Sequence, residues 1–236
     1  MSLLPVCILA GGLATRMRPL TETVPKALLE VAGKPFIDWQ LRYLRAQGAD
    51  LVVVCSGYLG EQIETFVGDG SRWGLRVRFR FDGPQLLGTG GAVANAIDLL
   101  GPRFFVLYGD SYLPIDYAAV ERDFMAQAKP ALMTVMKNAN QWDRSNVVFR
   151  DGRIMEYNKA QPDPQATHID YGLAVLDARV LQQRVRGTAL DLAGIYHDLS
   201  VRGELAGHEV FQRFYEIGSP QGLRETAQYL EKEKPE

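Results

Sequence analysis

The sequence predicts an α/β fold, with a mixed, mainly parallel sheet and helices on both faces. Unbroken apolar runs of strand length recur in the first 137 residues, at 5–10, 51–55 and 104–108, and helix-like segments separate them. Strand alternating with helix is the pattern of a parallel sheet, whose strands are covered on both faces and lose the polar alternation of a half-exposed strand. After residue 137 the runs become shorter and are joined by a tight turn, so the second half reads as more antiparallel.

Residues 5–10 supply the first strand. Pro35 starts a helix at its first position and Gly48 closes it, with Ile37, Leu41 and Leu44 on one face. Residues 51–55 form the second strand and 61–67 a short helix. Residues 75–81 alternate strictly: Leu75, Val77, Phe79 and Phe81 face one way, Arg76, Arg78 and Arg80 the other. That is a half-buried strand, and its arginine row reads as a solvated face or a subunit contact. A glycine-rich turn at 87–91 leads into a helix over 92–100, and the strand 104–108 ends at Gly109-Asp110. Strands 147–149 and 153–157 flank Arg150-Asp151-Gly152 as a hairpin. Further strands fall at 169–176 and 209–217, and helices at 191–201 and 220–232. The stretch 161–164 is a loop, and no linker or internal repeat is visible.

The chain has 236 residues, 47% apolar and 23% charged, which suits one globular domain with a sizeable core. A net charge of −2 argues against nucleic acid as the partner. Cys7 and Cys55 lie inside apolar runs and read as reduced, buried strand residues. His168, His197 and His208 show no metal-ligand spacing. No apolar run approaches the roughly 20 residues needed to span a bilayer, and no secretory signal is visible, so the sequence predicts a cytoplasmic protein with no membrane partner.

The chemistry concentrates in residues 9–29, Leu-Ala-Gly-Gly-Leu-Ala-Thr-Arg-Met-Arg-Pro-Leu-Thr-Glu-Thr-Val-Pro-Lys-Ala-Leu-Leu. A glycine turn after a buried strand lets backbone N–H groups approach a phosphate chain closely. Arg16 and Lys26 add charge that neutralises a breaking phosphate bond. The Gly-Lys-Ser/Thr ending of a P-loop is absent, as are the dinucleotide-binding glycines.

This stretch, followed by Val31-Ala-Gly-Lys-Pro35, resembles the signature of the sugar-phosphate nucleotidylyltransferases, which make nucleoside-diphosphate sugars. The resemblance runs from Val6 to about Leu223. It implies a Rossmann-like sheet in a single nucleotidyltransferase domain over 1–236, with a nucleotide-binding half at about 1–137, a sugar-phosphate-binding half at about 138–217 and a terminal helix at 219–234. The C-terminal β-helix of some members is not expected. The implied reaction is attack of a sugar 1-phosphate on the α-phosphorus of a nucleoside triphosphate, with pyrophosphate leaving, in the service of a surface polysaccharide or glycoconjugate. The attacking oxygen is already anionic, so no general base is needed and catalysis is positioning plus charge neutralisation.

The resemblance assigns Arg16, Lys26 and Asp110 as catalytic. Leu9, Ala10, Gly11, Gly12 and Thr15 would hold the triphosphate, and Gln85, Gly88, Thr89 and Gly90 would read the base. Asp110 and Glu216 would bind Mg²⁺; Glu216 stands where the family has Asp in an Asp-x-Gly-Thr-Pro stretch. The Leu-Gly-Thr-Gly-Gly-Ala turn is similar to that of heptose 1-phosphate guanylyltransferases and related small members, which tilts the base toward GTP. Lys159 would grip the phosphate of the sugar, with Asn146, Asn158, Asp170 and Gly172 lining the sugar pocket. Here the chain departs from the family: Asn158 replaces a Glu, Ser145-Asn146 replaces Tyr-Gly, and Asp170-Tyr171-Gly172 replaces an Asn-(Ala/Thr)-Gly stretch. The departures cluster on the sugar side, which implies a known reaction on a less usual sugar. Members range from monomers to tetramers, so a homo-oligomer is compatible with the sequence. A non-sugar acceptor such as phosphocholine, or a non-catalytic nucleotide-sugar sensor, are the alternatives.

Overall fold

The computed structural model describes residues 2–138, 140–182 and 189–233. The elements of the first part are β1 (Val6–Leu9), β2 (Glu30–Val31), β3 (Lys34–Pro35), α1 (Phe36–Ala46), β4 (Leu51–Ser56), α2 (Gly60–Val67), β5 (Arg76–Phe81), α3 (Gly88–Leu100), β6 (Arg103–Tyr108) and β7 (Ser111–Tyr112). Then follow α4 (Tyr117–Gln127), β8 (Ala131–Lys137), β9 (Val147–Arg150), β10 (Arg153–Tyr157), β11 (His168–Asp177), α5 (Arg179–Gln182), α6 (Leu192–Val201), β12 (Leu205–Val210), β13 (Tyr215–Glu216) and α7 (Pro220–Lys232).

Nine strands form one sheet in the order β5-β4-β1-β6-β11-β8-β12-β10-β9. β5, β4, β1 and β6 pair in parallel, as the alternation predicts. β8 does not continue that run. The long β11 inserts between β6 and β8 and pairs antiparallel with both. β8 therefore still points the same way as β6, and β12 pairs parallel to it. Only β11 and β10 run against the others, so the sheet is mixed and mainly parallel in direction. β9 pairs with β10 and touches β11 through His168↔Val147, so β11, β8, β12, β10 and β9 close into a ring.

Side-chain alternation along the strands builds two cores. Val6, Ile8, Val52, Val54, Phe105 and Leu107 face one way, toward Ile37, Leu41 and Leu44 of α1, Ile63 of α2 and Val120 of α4. Cys7, Val53, Cys55, Phe104 and Val106 face the other, toward Val93 and Ala96 of α3 and Ile195 and Leu199 of α6. Helices thus cover both faces. A third cluster sits under α7, where Leu230 and Ile217 meet Val31, Phe36 and Trp39. Cys7 and Cys55 are buried free thiols on neighbouring strands, with their Sγ atoms 3.5 Å apart. The arginine row of β5 is pinned at both ends, Arg76 to Asp50 and Arg80 to Asp98, each at 2.6 Å. These charges line an edge strand and discourage sheet extension there.

Three expectations need correcting. Pro35 is the N-cap of α1 rather than its first residue. The glycine-rich turn is no preface to α3 but its first turn, since the helix begins at Gly88. The segment 209–217 is not one strand: β12 ends at Val210 and the chain resumes as β13, which pairs with β7 in a separate ribbon. No glycine or proline marks that break in the sequence.

Candidate active site

The carboxyl ends of β1, β4 and β6 open onto a cavity of about 220 Å³. Ends of parallel strands are where open α/β sheets bind ligands, because the loops there diverge and leave a crevice. Leu9, Ala10, Gly11, Gly12, Lys26, Gly88, Thr89 and Asp110 all line it. The loop after β1 is tied down from outside. Tyr58 donates to Glu22 O at 2.8 Å, Gln62 to Thr23 O at 3.0 Å, and Thr21 to Ala14 O at 2.9 Å. Pro25 then caps a short 3₁₀ turn that carries Lys26 into the cavity, where its Nζ meets Asp110 Oδ2 at 2.9 Å. From below, the buried Gln40 donates to Ser111 O at 2.9 Å and to Tyr108 O at 3.3 Å, fixing the chain on both sides of Asp110.

Thr15 and Gln85 line neither this cavity nor the one beside it; both side chains are exposed. The glycine turn also works differently from its expected role. Leu190 O accepts from Gly90 N at 2.8 Å and from Gly91 N at 3.1 Å, so these N–H groups already have a protein partner. Gly88 has φ +69°, and a Cβ there would stand 2.7 Å from Leu190 O. The glycines are required because the 189–191 segment lies against the helix start. Thr89 Oγ1 donates to Asp191 Oδ1 at 2.8 Å and accepts from Leu192 N at 2.9 Å. Asp82, Leu86 and Tyr108 line the cavity instead and were not anticipated. Asp82 could have been: it follows β5 as Asp110 follows β6, at the same end of the sheet. Its carboxyl is held above the usual range by burial, although Leu87 N donates to it at 3.2 Å.

A second cavity, of about 450 Å³, adjoins the first, and Tyr108 and Asp110 line both. Its wall includes Arg16, Asn146, Lys159, Asp170, Gly172 and Glu216, and the ring of β8–β12 brings Asn146, Lys159, Asp170 and Gly172 together. Glu216 arrives through the β13–β7 ribbon: it pairs with Ser111, and Ile217 N donates to Asp110 O at 2.9 Å. This sets two carboxylates beside each other. Burial and then the charge of Asp110 hold the Glu216 carboxyl above its usual range, against the pull of Arg16 and Lys26. A Cβ added at Gly218 would meet Glu216 Oε2 at 2.6 Å and Arg16 Nη2 at 3.4 Å, so this glycine leaves the space in which the acid and the guanidinium converge.

Asp170 sits where β11 is irregular. Its N donates to Asn146 Oδ1 and its Oδ1 accepts from Gly172 N, each at 3.0 Å. Gly172 has φ +104°, a conformation other residues rarely adopt. Protein surrounds Asp170 on nearly every side, and it keeps part of its surface open to the cavity. Burial pushes its carboxyl up to about 6, with Gly172 N–H and Lys159 pulling the other way. Asn158 is not in the cavity wall. Its side chain donates to Glu156 at 3.2 Å and accepts from Gln161 N at 2.9 Å, shaping the turn that precedes the 161–164 loop. Trp142 and Asp143 line the cavity and were missed, since their loop has no periodic pattern to place it.

Helix α6 supports both cavities. Its N-cap Asp191 accepts from Ala193 N at 3.0 Å while holding Thr89. In its last turn and a half, Ser200 Oγ accepts from Tyr157 N at 3.0 Å and His197 Nδ1 lies 2.8 Å from Tyr157 O, fixing the strand that delivers Lys159.

The fold and site define an α/β protein with two adjoining cavities that share one acidic residue and are rimmed by basic ones. The chain belongs to the nucleotidyl transferase family, whose model matches residues 6–221. It is 45% identical over 113 residues to N-acetylmuramate alpha-1-phosphate uridylyltransferase of Neisseria meningitidis serogroup B, covering 48% of this chain and 49% of that one. It is 29% identical over 205 residues to UTP--glucose-1-phosphate uridylyltransferase of Synechocystis sp., covering 79% and 52%. It is 30% identical over 155 residues to D-glycero-alpha-D-manno-heptose 1-phosphate guanylyltransferase of Aneurinibacillus thermoaerophilus, covering 64% and 66%. The chain spans about half the length of the first two of these relatives. Among solved structures, HddC from Yersinia pseudotuberculosis complexed with GMP-PN matches with a TM-score of 0.79 at 21% identity, over 97% of this chain and 100% of that one, a likeness of fold. No helix among the described residues is long and apolar enough to cross a membrane.

Proposed function

We propose that this chain transfers a nucleotidyl group from a nucleoside triphosphate to a sugar 1-phosphate, giving a nucleoside-diphosphate sugar and pyrophosphate. One observation carries the reading: the two cavities meet at Asp110, with Lys26 paired to it. In this reading the smaller cavity takes the nucleotide and the larger the acceptor. The reacting phosphates then fall at the junction. An acceptor phosphate oxygen attacks the α-phosphorus, a new P–O bond forms, and the bond to the leaving pyrophosphate breaks. Lys26 reaches the phosphates of both ligands. Arg16, on the acceptor side, stabilises charge as it builds. Neither residue has to move a proton, because the attacking oxygen is already ionised.

Two converging carboxylates with hard oxygen donors suit Mg²⁺. Asp110 and Glu216 would hold it; burial, and then the charge of Asp110, keep the Glu216 carboxyl above its usual range, a burden that a bound cation would relieve. The ion would supply neutralisation of the triphosphate charge. The longer arm of Glu216 relative to Asp is accommodated by Gly218. On the acceptor side, Lys159 grips the sugar phosphate, while Asn146 and Asp170 face the ring.

The base we favour is guanine. Asp82 presents a carboxylate to the nucleotide cavity, and guanine offers two adjacent N–H donors where uracil offers one. The uridylyltransferase relatives make UTP the competing donor. The test incubates the purified protein with Mg²⁺, each of GTP, UTP, CTP, dTTP and ATP, and a panel of sugar 1-phosphates, following pyrophosphate release with Asp110→Asn as control. Turnover of one pair and loss in the control support the reading. Absence of release from every pair, with nucleotide still bound, sinks it.

A further inference from the structure

We propose that the larger cavity admits sugar 1-phosphates that carry no acidic group on the ring, and that Asp170 is the residue that turns acidic sugars away. The inference rests on the reading of this cavity as the acceptor site, and it sets this chain apart from the relative named for N-acetylmuramate 1-phosphate, a sugar acid, whose match covers 48% of this chain.

The argument is one of charge and hydrogen-bond supply. Lys159 and Arg16 are committed to phosphate in that reading. The acids Asp143 and Asp170 remain on the same wall. Asp170 is fixed by two hydrogen bonds, and Gly172 N–H occupies its Oδ1. Among the described residues no donor sits within hydrogen-bond distance of Oδ2. An ionised carboxylate accepts and never donates, so whatever lies against it must bring its own O–H or N–H. A sugar hydroxyl does; a sugar carboxylate brings a second negative charge instead.

Arg213, the next cation along the rim, does not serve a sugar carboxylate. It lies over the Trp142 ring at 3.9 Å and is ion-paired to Glu225.

The experiment measures glucose 1-phosphate and glucuronic acid 1-phosphate side by side, by calorimetric binding and by kcat/KM with the preferred nucleotide, on the wild type and on Asp170→Asn. The wild type is expected to favour the neutral sugar at least 100-fold. Asp170→Asn should raise KM for the neutral sugar about tenfold with little change in kcat, and narrow the preference at least tenfold. A merely structural role for Asp170 would instead lower the melting temperature and leave the preference intact, and that result overturns the proposal. So does a wild type that binds the acidic sugar equally well or binds neither sugar. Selective binding without turnover against any nucleotide would keep the inference and sink the transferase reading, so the two fail separately.

Discussion

The two sides of the site are built on opposite plans. The smaller cavity, the proposed nucleotide side, comes from strand ends that neighbour one another in a parallel run, and much of its wall is one loop and one helix start. The larger, the proposed acceptor side, leans on a ring closed by β9 against β11, and its wall gathers single side chains from residue 16 to residue 219. A site made mostly of backbone tolerates few changes and carries a local signature. A site made of scattered side chains can change its ligand one residue at a time without disturbing the fold, and it is there that the chain departs from its family's motifs.

Variants can break or sharpen this contrast. The largest effect belongs to the junction: Lys26→Ala should lower kcat by about 10²–10³ at saturating substrates, as loss of a group that stabilises transition-state charge does, read by pyrophosphate release. Next come the backbone positions of the nucleotide side. Gly88→Ala must hold φ +69° with a Cβ 2.7 Å from Leu190 O, and should lose about 1–3 kcal/mol in denaturant melts. Gly12→Ala meets nothing within 4 Å and should stay within about 0.5 kcal/mol of wild type. Equal losses in both would show that the turn is not held by Leu190.

A side chain on the acceptor side should behave the other way. The Asp170 carboxyl moves from an ordinary 3.8 to about 6 in the folded chain, so the native state binds this proton more tightly than the unfolded one. Stability from this group is present below about pH 4 and is lost as pH rises to about 6, leaving an ionised group that burdens the fold at pH 7. Lys159, Tyr108, Tyr157 and Tyr196 share its field. Asp170→Asn should abolish that slope and gain on the order of 1 kcal/mol at pH 7 by thermal melting, while weakening acceptor binding. A stability that stays flat from pH 4 to 6 in the wild type would remove the argument. The smallest effect is expected at the sheet edge: Arg76→Ala breaks an exposed ion pair and should change stability by less than about 1 kcal/mol, with activity untouched.

Legibility in the sequence follows the same division. β1, β4, β6 and the loop after β1 were readable because buried parallel strands announce themselves as apolar runs and the glycine–cation pattern is contiguous. The insertion of β11 between β6 and β8 was not, since pairing order is set by long-range packing that no local pattern records. The glycines of α3 were recognised as special, but the reason is a contact with residue 190, a hundred positions away. Gln85 and Asn158 match the family motif by position only, and the turns they occupy point them elsewhere. Asp82, Trp142 and Asp143 emerged only once the strand ends and the ring were in place.

The double attachment of α6 has a thermodynamic corollary. One end of the helix holds Thr89, in the wall of the smaller cavity; the other holds Tyr157, in the wall of the larger. A ligand that stiffens either end lowers the entropy left to lose at the other. By linkage the gain is mutual, so the factor by which a bound nucleotide tightens the acceptor equals that by which the acceptor tightens the nucleotide. Acceptor affinity measured with and without a non-hydrolysable nucleotide reads that factor. Asp191→Ala, which removes one of the two hydrogen bonds between Thr89 and the helix start, should bring it closer to one.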